Sequence, residues 1–444
     1  MYNNVSMVNR YAGEITSTPL NQIQYDLFYR DENTWRQQGG SVDFALEFSS
    51  IIEEAQFDLF TTRVRPTNFT SFDDRLYSGG SVVLVQSDRF NIGGQYANMY
   101  DLSGTSDATV FMRNPVMSLS SEYTYPLATS SLSAALETGR STMLWEGDGE
   151  APELTDFFYD VRLRWKENSG RLSAEVGYRE VGPNFRSPGA QTLRINYAGR
   201  PLAYSRVGNA QTARTLSILD LSRDASLYRT QLNSALMAYD PRYDNATPYG
   251  VATPNRSGFS IKLNYADPAE RWKVELNADQ LQDVVGLGTT ALTTYSTMYA
   301  DVELRLDHIL GLENREIALS GGYGMQGSSR TGENAYETID LSSAFYNLNL
   351  KAALIGSLSL IGEYRSWATE GSTLVSERND YTEIIDFSEY TMDYSEAIMG
   401  VGFMYAFSEG TALRLMYQNF DWSDAATDEV YGIRTWNIYF TMKF

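Results

Sequence analysis

Nine arginines fall between Val181 and Arg256 (Arg186, Arg194, Arg200, Arg206, Arg214, Arg223, Arg229, Arg242, Arg256), with no lysine and no glutamate among them. Four aspartates (Asp220, Asp224, Asp240, Asp244) stand against them, so the segment carries 9 − 4 = +5. The chain as a whole carries −21, which leaves −21 − 5 = −26 on the remainder. A guanidinium is a permanently charged planar fork that grips carboxylates and phosphates in fixed geometry. The chemistry on offer is therefore anion recognition, or attachment to an acidic wall. Charges before and after the segment also recur at every second residue. Arg162, Arg164, Lys166 and Arg179 line up with Glu175 on one side, and Glu275, Asp279, Asp301, Glu303 and Asp307 follow on the other. Opposed ladders across a water-filled space would set up a transverse field that orients polar solutes and sorts ions; local pairing between strands is the plainer alternative. The candidate lining of a passage is Arg162, Arg164, Arg179, Arg186, Arg194, Arg206 and Arg214 with Glu175, Glu275, Asp301 and Glu303.

Other chemistry is poorly represented. The single histidine, His308, sits beside Asp307 in an expected turn, and no serine is placed to be activated by it. Asp380, Glu383, Asp386 and Glu389 are candidate oxygen ligands for Ca²⁺ within an expected loop, Asp380 to Glu396. No EF-hand spacing is present there, and a solvated acidic rim is the simpler reading. The absence of cysteine excludes disulfides, Cys-ligated zinc and a thiol nucleophile. No phosphate-cradling glycine loop and no basic aromatic surface for nucleic acid can be found. The residues imply no enzyme, no cofactor and no nucleic-acid partner.

The elements that must position these charges are short alternating segments. Tyr159, Val161, Leu163 and Trp165 alternate with Asp160, Arg162, Arg164 and Lys166, a period of two with one apolar face, which is how a strand is written. The same pattern begins at Ile23, Tyr25, Leu27 and Tyr29 and ends at Trp436, Ile438, Phe440, Met442 and Phe444, giving about eighteen segments, within roughly 16 to 20. Connections alternate between short ones with turn chemistry, such as Ala266-Asp267-Pro268 and Ile355-Gly356-Ser357, and longer ones. The longer ones are expected at 64–79, 102–115, 139–155, 181–256, 283–293, 326–338, 369–395 and 422–434. Strict alternation over an even strand count is what a barrel inserted from one side of a membrane requires. Mean hydropathy is −0.34 and no run is apolar enough for a membrane helix, which does not exclude strands that face lipid with every second residue. The expected fold is all-β: a closed antiparallel up-and-down transmembrane β-barrel over 20–444, after a periplasmic lead-in at 1–19. Residues 181–256 form a long basic insert that plugs or narrows it, with an extended piece at Thr192–Tyr197 and a helix from Asp224 to Tyr239.

The closing residues, Trp436-Asn437-Ile438-Tyr439-Phe440-Thr441-Met442-Lys443-Phe444, resemble the last strand of Gram-negative bacterial outer-membrane β-barrel proteins, and the strand parity resembles that of porins. The resemblance implies an outer-membrane location, contact with lipid and lipopolysaccharide, and recognition of Phe444 by the barrel assembly machinery. The function it implies is a channel for small hydrophilic solutes narrowed by the insert. Two alternatives stay open. One is an exporter or sleeve within a larger envelope complex, with a partner protein in the lumen or at the periplasmic face, moving or holding a protein or polysaccharide. The other is a structural or adhesive surface barrel.

Overall fold

The computed structural model describes residues 38 to 442 apart from 191–235 and the positions 66, 68, 148–151, 237–238, 240, 243–244, 313–314, 333, 335–336 and 409–410. Before the insert run β1 (Gln38–Glu47), β2 (Glu54–Arg65), β3 (Asp74–Ser87), β4 (Phe90–Leu102), β5 (Phe111–Pro126), β6 (Ser130–Glu146), β7 (Leu154–Glu167) and β8 (Leu172–Val181). After it come β9 (Arg256–Ala266), β10 (Trp272–Gln282), β11 (Thr294–Arg305), a short helix α1 (Leu306–Leu310), β12 (Ile317–Arg330) and β13 (Ile339–Ile355). The chain continues through β14 (Leu358–Arg378), β15 (Ile384–Ser408), β16 (Thr411–Asp424) and β17 (Glu429–Met442). Each strand pairs antiparallel with its neighbours in sequence, making one up-and-down sheet of 17 strands. The insert does not interrupt it, because β8 pairs directly with β9, Val176 opposite Ile261. Every alternating segment expected from the sequence is a strand except the first, Ile23 to Arg30, which lies outside the described residues.

The expected connections need correction on both edges of the sheet. On the edge where the insert leaves, which we call the loop side, strands run on past their apolar stretch. The connections at 369–395 and 422–434 shrink to 379–383 and 425–428, and most of the supposed Asp380–Glu396 loop is strand β15. Asp386 and Glu389 stand on β15 opposite Glu377 and Leu374, and Glu383 is tied to Asn379 at 2.8 Å. Among the described residues these acids do not gather into a group that could hold a metal ion. On the opposite, turn side, the connection after β11 is longer than expected and contains α1, which takes in Leu306 and His308 and ends on Gly311 in the left-handed region, φ 65°. Glycine occupies that conformation without the Cβ clash other residues would suffer. Parity of side therefore holds, while parity of length does not.

Alternation divides the sheet into two faces. Leu163, Val176, Ile261, Leu348, Val401 and Ile438 are all exposed, between 47% and 72%, and large apolar residues on every strand share that face. Leu304 and Leu360 lie on it by register, opposite Leu319 and Phe403, and are half-buried. Soluble monomers rarely expose a contiguous apolar patch above a few hundred Å². Aromatic pairs mark the face at different heights: Tyr265–Trp272 at 4.6 Å beside the β9–β10 turn, and Tyr178–Phe259 at 5.0 Å, between β8 and β9, further up β9. No helix among the described residues is long and apolar enough to cross a membrane.

This face generates a first prediction. Leu163→Arg should destabilise the protein folded in a bilayer by roughly 2–4 kcal/mol, the cost of a cation on a lipid-facing strand, while Leu163→Ile should be close to neutral. Equal unfolding free energies for the two variants would show that this face does not meet hydrocarbon.

Candidate functional site on the inner face

The other face is covered by the two ends of the insert. Its entry runs from Gly182 to a 3-10 turn, Pro188–Ala190, and its exit passes through a second, Gly250–Ala252, which packs against the first. Phe185 and Ala190 join Tyr77, Ala97, Met99, Met112, Val116, Met143 and Phe158 from β3 to β7 in one buried cluster, and Ala252 of the exit joins it too. Phe185 meets Phe158 edge-on at 5.1 Å. A Cβ at Gly189 would overlap the Tyr77 hydroxyl, so glycine is what allows the turn to lie this close. The exit also packs on the other half of the sheet: Ala246 sits against Leu281 and Tyr295 of β10 and β11. One segment touching inner faces from β3 to β14 requires the sheet to curl around it. Trp145 of β6 and Tyr381, at the tip of the β14–β15 hairpin, confirm the curl by meeting at 5.3 Å.

The wall grips the insert largely through its main chain. Ser141 Oγ accepts from the Arg186 N–H at 2.8 Å, and Asn114 Nδ2 donates to the Arg186 carbonyl at 3.2 Å. The Arg242 carbonyl accepts from Gln326 Nε2 at 3.1 Å and Ser343 Oγ at 2.9 Å, while Asn245 Nδ2 donates to Ser328 and Thr373 at 3.0 and 3.2 Å. Backbone groups taken out of water need such partners, since an unmet one costs about 1–3 kcal/mol. Where the exit becomes β9, Arg256 forms the tightest knot. Its Nη1 donates to Asp283 at 2.9 Å, its Nε and Nη2 donate to the carbonyls of Ala246 (2.8 Å) and Asn245 (3.2 Å), and its guanidinium lies 3.8 Å from the centre of the Tyr295 ring. Asp283, 1% exposed, also accepts from Tyr295 Oη at 3.2 Å and from the Thr293 N–H at 3.1 Å.

The charges singled out in the sequence face inward, and most are paired with close neighbours. Arg162 binds Asp160 at 2.8 Å, Arg164 binds Glu175 at 2.6 Å with Lys262 on the same carboxylate at 3.7 Å, and Lys273 binds Glu275 at 2.6 Å. Arg179 lies opposite Gly258 and reaches across β9 to Asp279 at 3.2 Å. Asp301 lies opposite Glu275, and Glu303 opposite Lys273. The wall is thus a mosaic of local pairs, and among the described residues no arginine of the insert is on Glu175 or Glu275. Arg186 faces no open passage, being 1% exposed. Arg194, Arg206 and Arg214 lie outside the described residues. His308 belongs to α1 on the turn side, Nδ1 3.4 Å from the Ala269 carbonyl oxygen. Sequence reasoning missed Asp283, and placed Asp279 on the inner wall without its partner, since only register brings these acids beside Arg256 and Arg179. It also missed the apolar patch under the entry, although Met99, Met112, Met143 and Phe158 cluster toward the loop-side ends of their strands. On the turn-side half of the inner face a cavity of about 340 Å³ remains, lined in part by Glu303, Asn349, Lys351, Glu363, Met404 and Arg414.

No family model and no curated protein matches the chain. Among solved structures it is similar to the siderophore receptor PirA from Acinetobacter baumannii, with 8% identity and a TM-score of 0.34 over 91% of this chain and 70% of that one; so loose a superposition has no bearing on fold or function.

The knot at Arg256 can be tested by breaking it from one side. Asp283→Asn leaves a buried guanidinium without its counter-charge, a loss of about 3–5 kcal/mol, whereas removing both partners is often nearly neutral. Limited proteolysis should therefore cut the insert faster in Asp283→Asn with the strands still protected. Protection should return in Asp283→Leu combined with Arg256→Met. Unchanged cleavage in the single variant would mean that the exit is held without the ion pair.

Proposed function

We propose that the chain is a bacterial outer-membrane β-barrel that passes small hydrophilic solutes, with the insert as its constriction. The observation that carries the reading is the placement of the insert's two described ends within the inner face, bound to both halves of the sheet. The apolar outer face supplies the lipid contact, and the paired charges and the turn-side cavity supply a polar interior. Lipid and lipopolysaccharide are the expected surroundings, and the terminal Phe444 the signal for the assembly machinery. No enzymatic role is assigned to any residue.

Strand direction supports closure. β1 and β17 both run from the loop side to the turn side, so joining them directly would make one parallel pair in an otherwise antiparallel sheet. A strand running the other way between them completes eighteen with antiparallel pairing throughout, and the alternating segment Ile23 to Arg30 precedes β1 in the right sense. Disulfide trapping tests this: cysteines at Gln24 and at successive positions along 430–440 should cross-link within one chain at a defined register. Cross-links that form only between chains would make the seam intermolecular.

Conductance separates the channel from its alternatives. Deleting 191–235 from the purified protein in planar bilayers should raise single-channel conductance severalfold and shift selectivity away from anions, because Arg194, Arg206 and Arg214 leave with the deletion. Unchanged conductance and ion preference would remove the constriction and favour a sleeve for a partner protein or polysaccharide.

A further inference from the structure

Arg186, 1% exposed, is among the described charged side chains most completely withdrawn from water. Its Nη1 donates to the carbonyls of Pro183 and Phe185 at 3.1 and 2.8 Å, and its Nε is buried with no partner. Among the described residues no carboxylate pairs with it. Asp156, whose charge acts on it, is committed to the main-chain N–H groups of Asn184 and Phe157 at 2.9 Å each. A second guanidinium, that of Arg378, is near enough for its charge to act on Arg186. Arg378 closes β14, donates to the Thr382 carbonyl at 2.6 Å, and likewise pairs with no carboxylate among the described residues.

The two are brought together by one strand. Arg186 is pinned to Ser141, and Tyr381 of the hairpin tip rests on Trp145. Those positions lie four residues apart on the inner face of β6, about 13 Å of strand. Burial first, and then the positive charge of Arg378, bring the Arg186 guanidinium down from its ordinary value to about 9. Tyr249 of the exit lies close enough to feel both cations, and burial is the main influence holding its phenol protonated, as a donor. Two like charges taken out of water beside each other each cost several kcal/mol unless an opposite charge joins them.

We propose that Arg186, Arg378 and Tyr249 form a seat for a small oxyanion at the loop-side mouth, where it stitches the insert to the β14–β15 hairpin. Planar guanidinium forks suit an oxyanion better than a halide, since each can offer two parallel N–H donors. The seat goes beyond the channel reading, because it needs only that the insert and the hairpin tip meet. A free inorganic anion and the carboxylate of a passing solute share this chemistry, so both are used as probes.

The experiment is thermal unfolding of the full chain in detergent micelles, with chloride exchanged for phosphate or acetate at constant ionic strength and pH. The parent should show a saturable rise in Tm with at least one of the two. The better of them identifies the preferred source, phosphate a free inorganic anion and acetate a solute carboxylate. In Arg378→Gln the apparent affinity should fall about tenfold or more, as expected for losing charge-assisted hydrogen bonds, while Arg113→Gln, on an exposed strand edge, should behave as the parent. Because repulsion is relieved, Arg378→Gln should be at least as stable as the parent in chloride alone. No rise with either probe, an equal rise in Arg378→Gln, or a marked loss of stability of that variant in chloride would each overturn the seat.

Discussion

A strand residue can face only one of two sides, and every other feature of this molecule follows from how the chain uses that restriction. Large apolar residues placed outward leave one face of the sheet apolar and exposed. Polar residues are then left inward, where Ser141, Gln326 and Ser343 become the partners that a folded-in segment needs for its backbone, and Thr373 accepts from the Asn245 side chain. A slip of one residue would exchange the faces and lose both properties together. The continuous register from β1 to β17 is therefore the foundation on which the insert, its anchors and the inner cavity rest.

Much of this architecture is legible in the sequence, because the signal for a half-buried strand is local. Leu163 and its alternating neighbours announce a strand and its facing without any knowledge of what lies beside it. Strand ends on the loop side are illegible for the same reason. Along Ser366 to Arg378 and Ile384 to Glu396 the outward residues become polar, and alternation fades although pairing continues. The pairing of charges is not local either. Arg179 meets Asp279 because β8 adjoins β9 and β9 adjoins β10, two facts that no spacing of arginines and aspartates encodes. Arg162 and Glu275 were readable as inward charges but not as members of separate short-range pairs. The two described ends of the insert lie on the inner face, as its composition suggests for the whole. Its leading cation, Arg186, is nonetheless sequestered, and Arg256, at the boundary, does the anchoring.

The two ends of the insert are seated by different physics. The entry is held by packing, Phe185 and Ala190 within a methionine-rich patch that adapts to irregular shapes. The exit is held by a buried ion pair and by polar side chains on carbonyl oxygens, which demand fixed geometry. The two are also joined directly, Ala252 of the exit lying in the same buried cluster as Phe185 and Ala190.

The pairing of β8 with β9 across residues 182–255 also orders events in time. Those strands must find each other over 256 − 181 − 1 = 74 intervening residues, against 172 − 167 − 1 = 4 between β7 and β8. Chain entropy makes that closure costlier by about 2.5 kcal/mol, taking 3/2 RT ln(74/4). Hairpins on either side can zip from their short turns before this gap is bridged, so the N-terminal and C-terminal parts of the sheet assemble as separate ribbons. A structure that is continuous once folded is, along its folding route, a molecule of two halves joined late.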